Sequence, residues 1–530
     1  MKFSIFILLF LTFPFVMVAQ TADKSDWKGG YPEACTSITV GKKASFDGSV
    51  MTSHTDDSHR TRSWIDIVPP KKYKAGDVSI MYKREQDNSR KMPAYGHKEI
   101  GSFPQVKETN GFINTAYPSM NDKQLAMGES TFGGRDELQS DAGLIDCQRL
   151  CLILLERCET AREAITLSGE LLDQYGWRDY GECLTISDPK EVWHLEIVGP
   201  GAGKIGAIWA AQRVPDDHIS VNANASTIKE MNLDNPDYFM ASKNIKELAE
   251  EKGYWNPANE PFRFNYAFAP HSRTSFASRR REWRVFELAA PSLGLDPNAS
   301  DYPFSIKPDT LITLDKMVSI FKDYYEGTEF DMTKNLLVPD ADGKSVISPL
   351  ANPHMPYDAL TLHHINGGWG ALGERTIARW YTMYGTIIQS RDWLPDMIGG
   401  VEWLAMDNIA TSIYIPVYAG TTDLPKAYKT PGRDGFTYES SWWAFNRMST
   451  LTAQRWGDMR HDVDAVFVPM QKELFKNASA FEKEVLELYQ KNPKKAQEKL
   501  TEYTLYWGNK VVDQAWQLGN DLWTKYDEKF

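Results

Sequence analysis

Cysteine is scarce, with five in 530 residues. So few exclude a small disulfide-stapled scaffold, and in an exported chain an odd number leaves at least one thiol unpaired. No two cysteines stand at Cys-x-x-Cys spacing. Cys147, Cys151 and Cys158 recur at helical spacing instead. A metal reading would need Cys183 as a fourth ligand, so packing on a helix face is the better account and no metal is expected. Other catalytic signatures are missing too. There is no His-Glu-x-x-His, Gly128-Glu129-Ser130-Thr131-Phe132 lacks the final glycine of a nucleophile elbow, and Gly343-Lys344-Ser345 lacks the upstream glycine of a phosphate loop. Asp340-Ala341-Asp342-Gly343 carries its glycine too early for a calcium loop and reads as a surface turn. His354, His363 and His364 follow no regular ligand spacing, so surface or core roles are expected. No cofactor is called for.

Blocks of one charge are also absent. The net charge of −12 is spread along the chain, which favours solubility and argues against nucleic acid as a partner. After residue 18 no apolar run approaches the roughly 20 residues of a membrane span, so none is expected. Before it, Met1-Lys2 is a short positive start, Phe3 to Val18 is almost wholly apolar, and Ala19 is a small residue at a cleavage position. This predicts a signal peptide over 1–19 and an exported protein, periplasmic or secreted. Gln20 to Ala34 is polar, contains Gly29-Gly30 and Pro32, and has no period. That is the composition of a removable pro-segment, with an ordered N-terminal arm as the alternative.

What is present begins at Ala34-Cys35-Thr36-Ser37-Ile38-Thr39-Val40. This run and Val50-Met51-Thr52-Ser53-His54-Thr55-Asp56-Asp57 flank a turn-rich segment containing Asp47-Gly48, which predicts a β-hairpin. Pairing Val40 with Ser49 sets Cys35 opposite His54, with Asp57 just past the strand end. Cys35 gains most if it becomes the first residue of the mature chain. A free α-amino group has a pKa of about 8 and can accept the thiol's proton, so nucleophile and base would be one residue. The alternative is an ordinary buried strand cysteine. Further along, Asn121 stands in a turn entering a strand, where its side chain could donate to a developing oxyanion or simply close the turn. Residues 141–173 read as helices and 181–218 as period-two sheet, followed by a second asparagine cluster at Asn222 and Asn224. Seventeen Trp and twenty-four Tyr suit aromatic-lined pockets or aromatic core packing equally. After Asn492-Pro493, Ala496, Leu500, Tyr503, Trp507, Val511, Ala515, Leu518 and Leu522 recur at three- and four-residue steps. They form an amphipathic helix expected to pack on the main domain, with a partner or homo-oligomer contact as the alternative.

The Cys-Thr start, Val40-Gly41-Lys42-Lys43-Ala44-Ser45 with Asp47-Gly48-Ser49, Asn121-Asp122, Glu129-Ser130-Thr131-Phe132, Arg213-Val214-Pro215-Asp216-Asp217 and Asn224 together resemble the dipeptidase A and secernin family of N-terminal-nucleophile hydrolases. Arg281-Glu282-Trp283, Arg391-Asp392-Trp393-Leu394-Pro395, Gly399-Gly400-Val401-Glu402-Trp403 and Tyr414-Ile415-Pro416-Val417-Tyr418 extend the likeness to about residue 450. The resemblance implies an α+β fold, a four-layer αββα sandwich with long insertions and a helical C-terminal part. It implies one hydrolase domain over 35–475, a helical segment over 476–530, removal of everything before Cys35, and hydrolysis of small peptide substrates. It matches Cys35 to the nucleophile, Asp57 to the acid that helps hold its amino group, Asn121 and Asn224 to oxyanion-supporting asparagines, and Arg281 to an active-site arginine. Relatives commonly carry Arg where this chain has His54, so a permanent guanidinium is replaced by a titratable imidazole: either His54 does the arginine's electrostatic work over a narrower pH range, or substrate handling differs here. Two other readings stay open: an amidase of the bile-salt or penicillin type, and a non-catalytic exported binding protein on the same scaffold.

Overall fold

The computed structural model describes residues 34–58, 63–353 and 375–529. The expected signal peptide, the pro-segment up to residue 33, and His354, His363 and His364 lie outside the described residues. The architecture mixes antiparallel sheets with helices and ends in a helical part. A seven-stranded sheet runs in the order Ser305–Ile306, β7 (Ile219–Asn222), β1 (Ala34–Val40), β2 (Val50–Asp57), β8 (Thr382–Ser390), β9 (Val401–Met406) and β10 (Ile415–Tyr418). An eight-stranded sheet runs in the order Phe239–Ala241, β6 (Ile208–Arg213), β5 (Val192–Val198), β4 (Gly181–Ser187), β3 (Ala126–Gly133), Met120–Asn121, Phe112–Asn114 and Asp66–Val68.

The two sheets meet through β1 and β2, which pack on β3 and β4. Both strands are buried along their whole length, and their faces differ in chemistry. The register puts Cys35, Ser37 and Thr39 on one face with Thr52, His54 and Asp56. That polar face is satisfied by the facing sheet: Ser37 Oγ donates to Glu129 O at 2.8 Å, Thr39 Oγ1 meets His194 Nε2 at 3.0 Å, and Thr52 Oγ1 meets Thr185 Oγ1 at 2.7 Å. Ile38, Val40 and Met51 point the other way, into a core shared with Trp283, Val285 and Phe286 of α3 (Phe276–Ala289). On the eight-stranded sheet, Leu184, Ile186, Trp193 and Leu195 pack against Leu150, Ile153 and Leu154 of α1 (Cys147–Arg157) and Ile165 and Leu172 of α2 (Ala161–Tyr175). Asp146 caps α1, and Thr160 with Glu163 forms a capping box on α2.

The hairpin is displaced by two residues from the expected register: Val40 pairs with Met51 and Cys35 with Asp56. The connection is not a tight turn around Asp47-Gly48, because it is laid against a neighbouring segment. Gly41 N and Lys43 N donate to His218 O and Asp216 O at 2.9 and 2.7 Å. A shift of two preserves the face, so His54 remains on the Cys35 side. Asp57 is not past the strand but its last residue, opposite Ala34 and on the other face.

The C-terminal part comprises α4 (Ser441–Gln454), α5 (Trp456–Lys491) and α6 (Pro493–Lys525). The expected apolar residues of α6 are buried, from Ala496 to Leu522, except that Tyr503 is half-buried and stacks on Phe481 of α5 at 3.8 Å. The boundary expected at residue 475 falls inside α5, whose Val463, Phe467, Leu474 and Val485 belong to one core with the seven-stranded sheet. The four free cysteines other than Cys35 are buried. Cys147, Cys151 and Cys158 pack in the helix-side core, whereas Cys183 lies in a separate cluster with Phe132 and Val198.

Close approach of the sheets depends on Gly128, where an added Cβ would sit 2.3 Å from Ser53 O and 2.7 Å from Thr185 Oγ1. Gly128→Ala is expected to destabilise the fold by about 1–3 kcal/mol, measured as a lower urea midpoint. An unchanged midpoint would contradict the close approach.

Candidate active site

Cys35 is 5% exposed and lines a cavity of about 330 Å³. Its Sγ donates to Glu129 Oε1 at 2.9 Å, and His54 Nε2 lies 3.2 Å from the same oxygen. Burial, followed by the charges of Glu129, Asp56 and Asp57, pushes the Cys35 thiol well above its usual range, so the sulfur is protonated. Burial also opposes ionisation of Glu129, but the hydrogen bond and charge of His54, together with the thiol donor, more than offset it and hold the carboxyl below its usual value. Next to it, burial and the charge of Glu129 push Glu182 well above the carboxylate range. One acid of the pair is ionised and the other neutral.

Asn224 follows β7 in the left-handed region, at φ 60°. Its Oδ1 accepts from Cys35 N at 3.2 Å and from Arg281 Nη2 at 2.8 Å. Because a guanidinium only donates, the atom facing it must be the amide oxygen, which fixes the orientation of the side chain. Nδ2 donates to Thr131 O at 2.7 Å. Arg281, on α3, is 1% exposed. It donates to Cys35 O, Thr36 Oγ1, Ala223 O, Asn224 Oδ1 and Ala277 O at 2.8–2.9 Å. Burial, then the charge of Arg375, pushes its pKa down to about 9. Since it holds the Cys35 carbonyl, Arg281 positions the Cys35 main chain.

Asp57 accepts from Thr382 Oγ1 at 2.6 Å and from Arg375 Nη2. Among the described residues it is Asn224, not Asp57, that meets Cys35 N. Asn121 is elsewhere. Its Nδ2 donates to Leu155 O and Cys158 O, both at 2.9 Å, and its Oδ1 accepts from Lys123 N and Leu125 N, both at 3.0 Å. It closes a turn and caps the end of α1, so the expected oxyanion role is corrected: both of its N–H groups are already used. The structure thus gathers Cys35, His54, Asn224 and Arg281, sets Asp57 on the far face of β2, and leaves Asn121 out.

Glu129 was missed. Its signals were the stretch Gly128 to Phe132, which the elbow comparison screens for a serine, and the motif Glu129-Ser130-Thr131-Phe132, which entered the family resemblance without a role for the acid. Arg375 and Thr382 had no signal, lying 318 and 325 residues from the Asp57 they hold. The cavity wall carries both signs of charge. Arg84 donates to Tyr117 Oη at 2.9 Å and to Asp179 at 3.1 Å and lies 3.6 Å from Asp146, while Lys83, Arg178, Asp56, Asp57 and Glu182 complete the ionisable lining.

A buried, protonated thiol lines a charged cavity, on a strand whose main chain is held by asparagine and arginine, and comparison with known proteins places the chain in a family. The profile of peptidase family C69 matches residues 34–468, and the chain belongs to that family. It is 24% identical over 447 residues to a probable dipeptidase of Latilactobacillus sakei, covering 81% of this chain and 84% of the relative. It is 26% identical over 501 residues to probable dipeptidase B of Lactococcus lactis subsp. lactis (90% and 95% covered), and 25% identical over 439 residues to dipeptidase A of Lactobacillus helveticus (81% and 83% covered).

Glu402 of β9 stands behind His54. Burial pushes its pKa up to about 7, against the donor Ser119 Oγ at 2.5 Å and the charge of His54. A folded-state value raised above 4.5 means that the native state holds the proton more tightly than the unfolded chain. Its stabilisation is therefore full below about pH 4.5 and lost as pH rises through about 7. Glu402→Gln removes this dependence. Between pH 5 and pH 8 the variant's stability, from urea unfolding, should gain on wild type by up to about 3 kcal/mol. A constant difference across that range would contradict the assignment.

Proposed function

We propose that this C69 protein is an exported cysteine dipeptidase whose mature chain begins at Cys35. The observation that carries the reading is the position of Cys35: its thiol opens on the cavity and its main-chain nitrogen rests on Asn224 Oδ1. The layered sheets and helices support an αββα N-terminal-nucleophile sandwich, and the names of the relatives support a dipeptide substrate.

Once residues before Cys35 are removed, the amide nitrogen on Asn224 becomes an α-amine of pKa about 8 and the thiol's proton passes to it. The sulfur then attacks the scissile carbonyl. Asn224 keeps one Nδ2–H beyond the bond to Thr131, and with backbone N–H groups it stabilises the oxyanion, each such donor contributing about 3 kcal/mol. The protonated amine donates to the leaving amine, and water releases the acyl group from the thioester. Glu129 orients the thiol, His54 holds Glu129, and Arg281 fixes the strand that presents Cys35. The cavity's mixed charges favour a short peptide with both ends free over the bulky apolar acyl group of a bile-salt or penicillin amidase, since buried charges left unpaired reject a ligand that cannot match them. The apolar stretch before residue 19 supports export, to the periplasm or beyond.

The test is a panel of free dipeptides against N-acylated dipeptides and bulky acyl conjugates. Free dipeptides are expected to be cleaved, N-acylation to lower kcat/KM by about 100-fold or more, and Cys35→Ala to lower it by on the order of 10⁴-fold or more. Preference for acyl conjugates, or activity that survives Cys35→Ala, would overturn the proposal.

A further inference from the structure

Three donor atoms of different chemistry converge at the head of the cavity. Cys35 Sγ, His54 Nε2 and Glu129 Oε1 come from three strands, all buried, and lie within 4.8 Å of one another. We propose that they form a binding site for a thiophilic divalent cation, with Zn²⁺ as its type, and that occupancy silences the nucleophile reversibly. The site stands on geometry and not on the substrate assignment, while its effect on catalysis rests on the role proposed above for Cys35.

The donor set suits the ion. Zinc takes thiolate, imidazole and carboxylate at about 2.0–2.3 Å in a tetrahedron, which sets neighbouring donors roughly 3.3–3.8 Å apart. The present separations are 2.9 Å for Sγ to Oε1 and 3.2 Å for Nε2 to Oε1. Entry of the ion therefore requires an opening of less than about 1 Å. The metal replaces the protons that the thiol and His54 Nε2 now share with Glu129: the S–H and Nε2–H bonds break, S–metal and N–metal bonds form, and both protons leave to solvent. Thiolate and carboxylate contribute two negative charges and the imidazole none, so the occupied site is neutral, as a buried cation requires.

The surroundings prepare His54 for the role. Its ring is held edge-on by Tyr117 and Tyr384, each with a centroid separation of 5.6 Å. Nδ1 lies 3.4 Å from Tyr384 Oη, where it keeps its proton when Nε2 gives up its own to bind a metal. The cavity provides the entry path and room for water as a fourth ligand. In a chain beginning at Cys35, the α-amine can take that position and close a five-membered chelate with Sγ. A neighbouring trio, Glu129, Cys147 and Glu182, is equally tight but has no imidazole, and two carboxylates with a thiolate leave a buried negative charge.

The experiment adds Co²⁺, then Zn²⁺, to the reduced, purified protein and follows the near-ultraviolet thiolate-to-cobalt charge-transfer band. One equivalent is expected to bind, to be displaced by Zn²⁺, and to be removed by EDTA. Cys35→Ala should abolish the band and Cys147→Ala should keep it. His54→Gln should weaken cobalt binding at least about tenfold, because loss of even an outer-shell partner has that effect. Circular dichroism confirms that each variant is folded, and Cys35→Ala, the smallest change, decides the matter if His54→Gln does not fold. No band in wild type, a band that survives Cys35→Ala, or unchanged affinity in His54→Gln overturns the site.

Discussion

A buried guanidinium organises this protein. Arg281 has five N–H donors, and all five are engaged: two on β1, two on the turn after β7, and one on its own helix. Removing such a charge from water is costly unless every donor finds an acceptor. The three segments are consequently held in one arrangement. That arrangement fixes the main chain on both sides of Cys35, turns Asn224 Oδ1 toward the Cys35 nitrogen, and requires the left-handed backbone at Asn224 that brings its side chain back over β1. The position of Cys35 follows from a clamp 246 residues away in the chain.

The second constraint is the polar layer between the sheets. Two sheets packed through apolar side chains would bury no acid, but here hydroxyls, His194 and the Glu129 pair fill the space, each polar contact crossing from one sheet to the other. Gly128 permits the approach. Inside this layer, the pKa values of Glu129 and Glu182 are driven apart, leaving one acid ionised beside the thiol and His54 and its neighbour neutral against Thr131.

Much of this was legible beforehand, and the limits have physical causes. The helix after Asn492 was readable because one apolar face repeats over 33 residues. Cys35 and His54 were correctly given one face even though the register was wrong, because an error of two leaves strand faces unchanged. The register itself depends on contacts of the connecting loop with residues 216–218, which no local pattern encodes. Asn121 had the right residue type at a turn, yet the end of α1 claims its donors. Glu129 stood in a motif of the family resemblance, but its role was not legible, because a carboxylate inside a strand has no evident purpose until the thiol opposite is known. The partners of Asp57 lie more than 300 residues away and carry no motif.

The central claim is that Cys35 is exposed as a free amino terminus and acts from there. It is tested most directly by the intact mass and N-terminal sequence of the exported protein, wild type beside Cys35→Ala. The account predicts a wild-type chain that begins at Cys35, with the variant retaining residues 20–34. Wild-type protein that is active while still carrying those residues would contradict it, because the thiol would then lack its amino base.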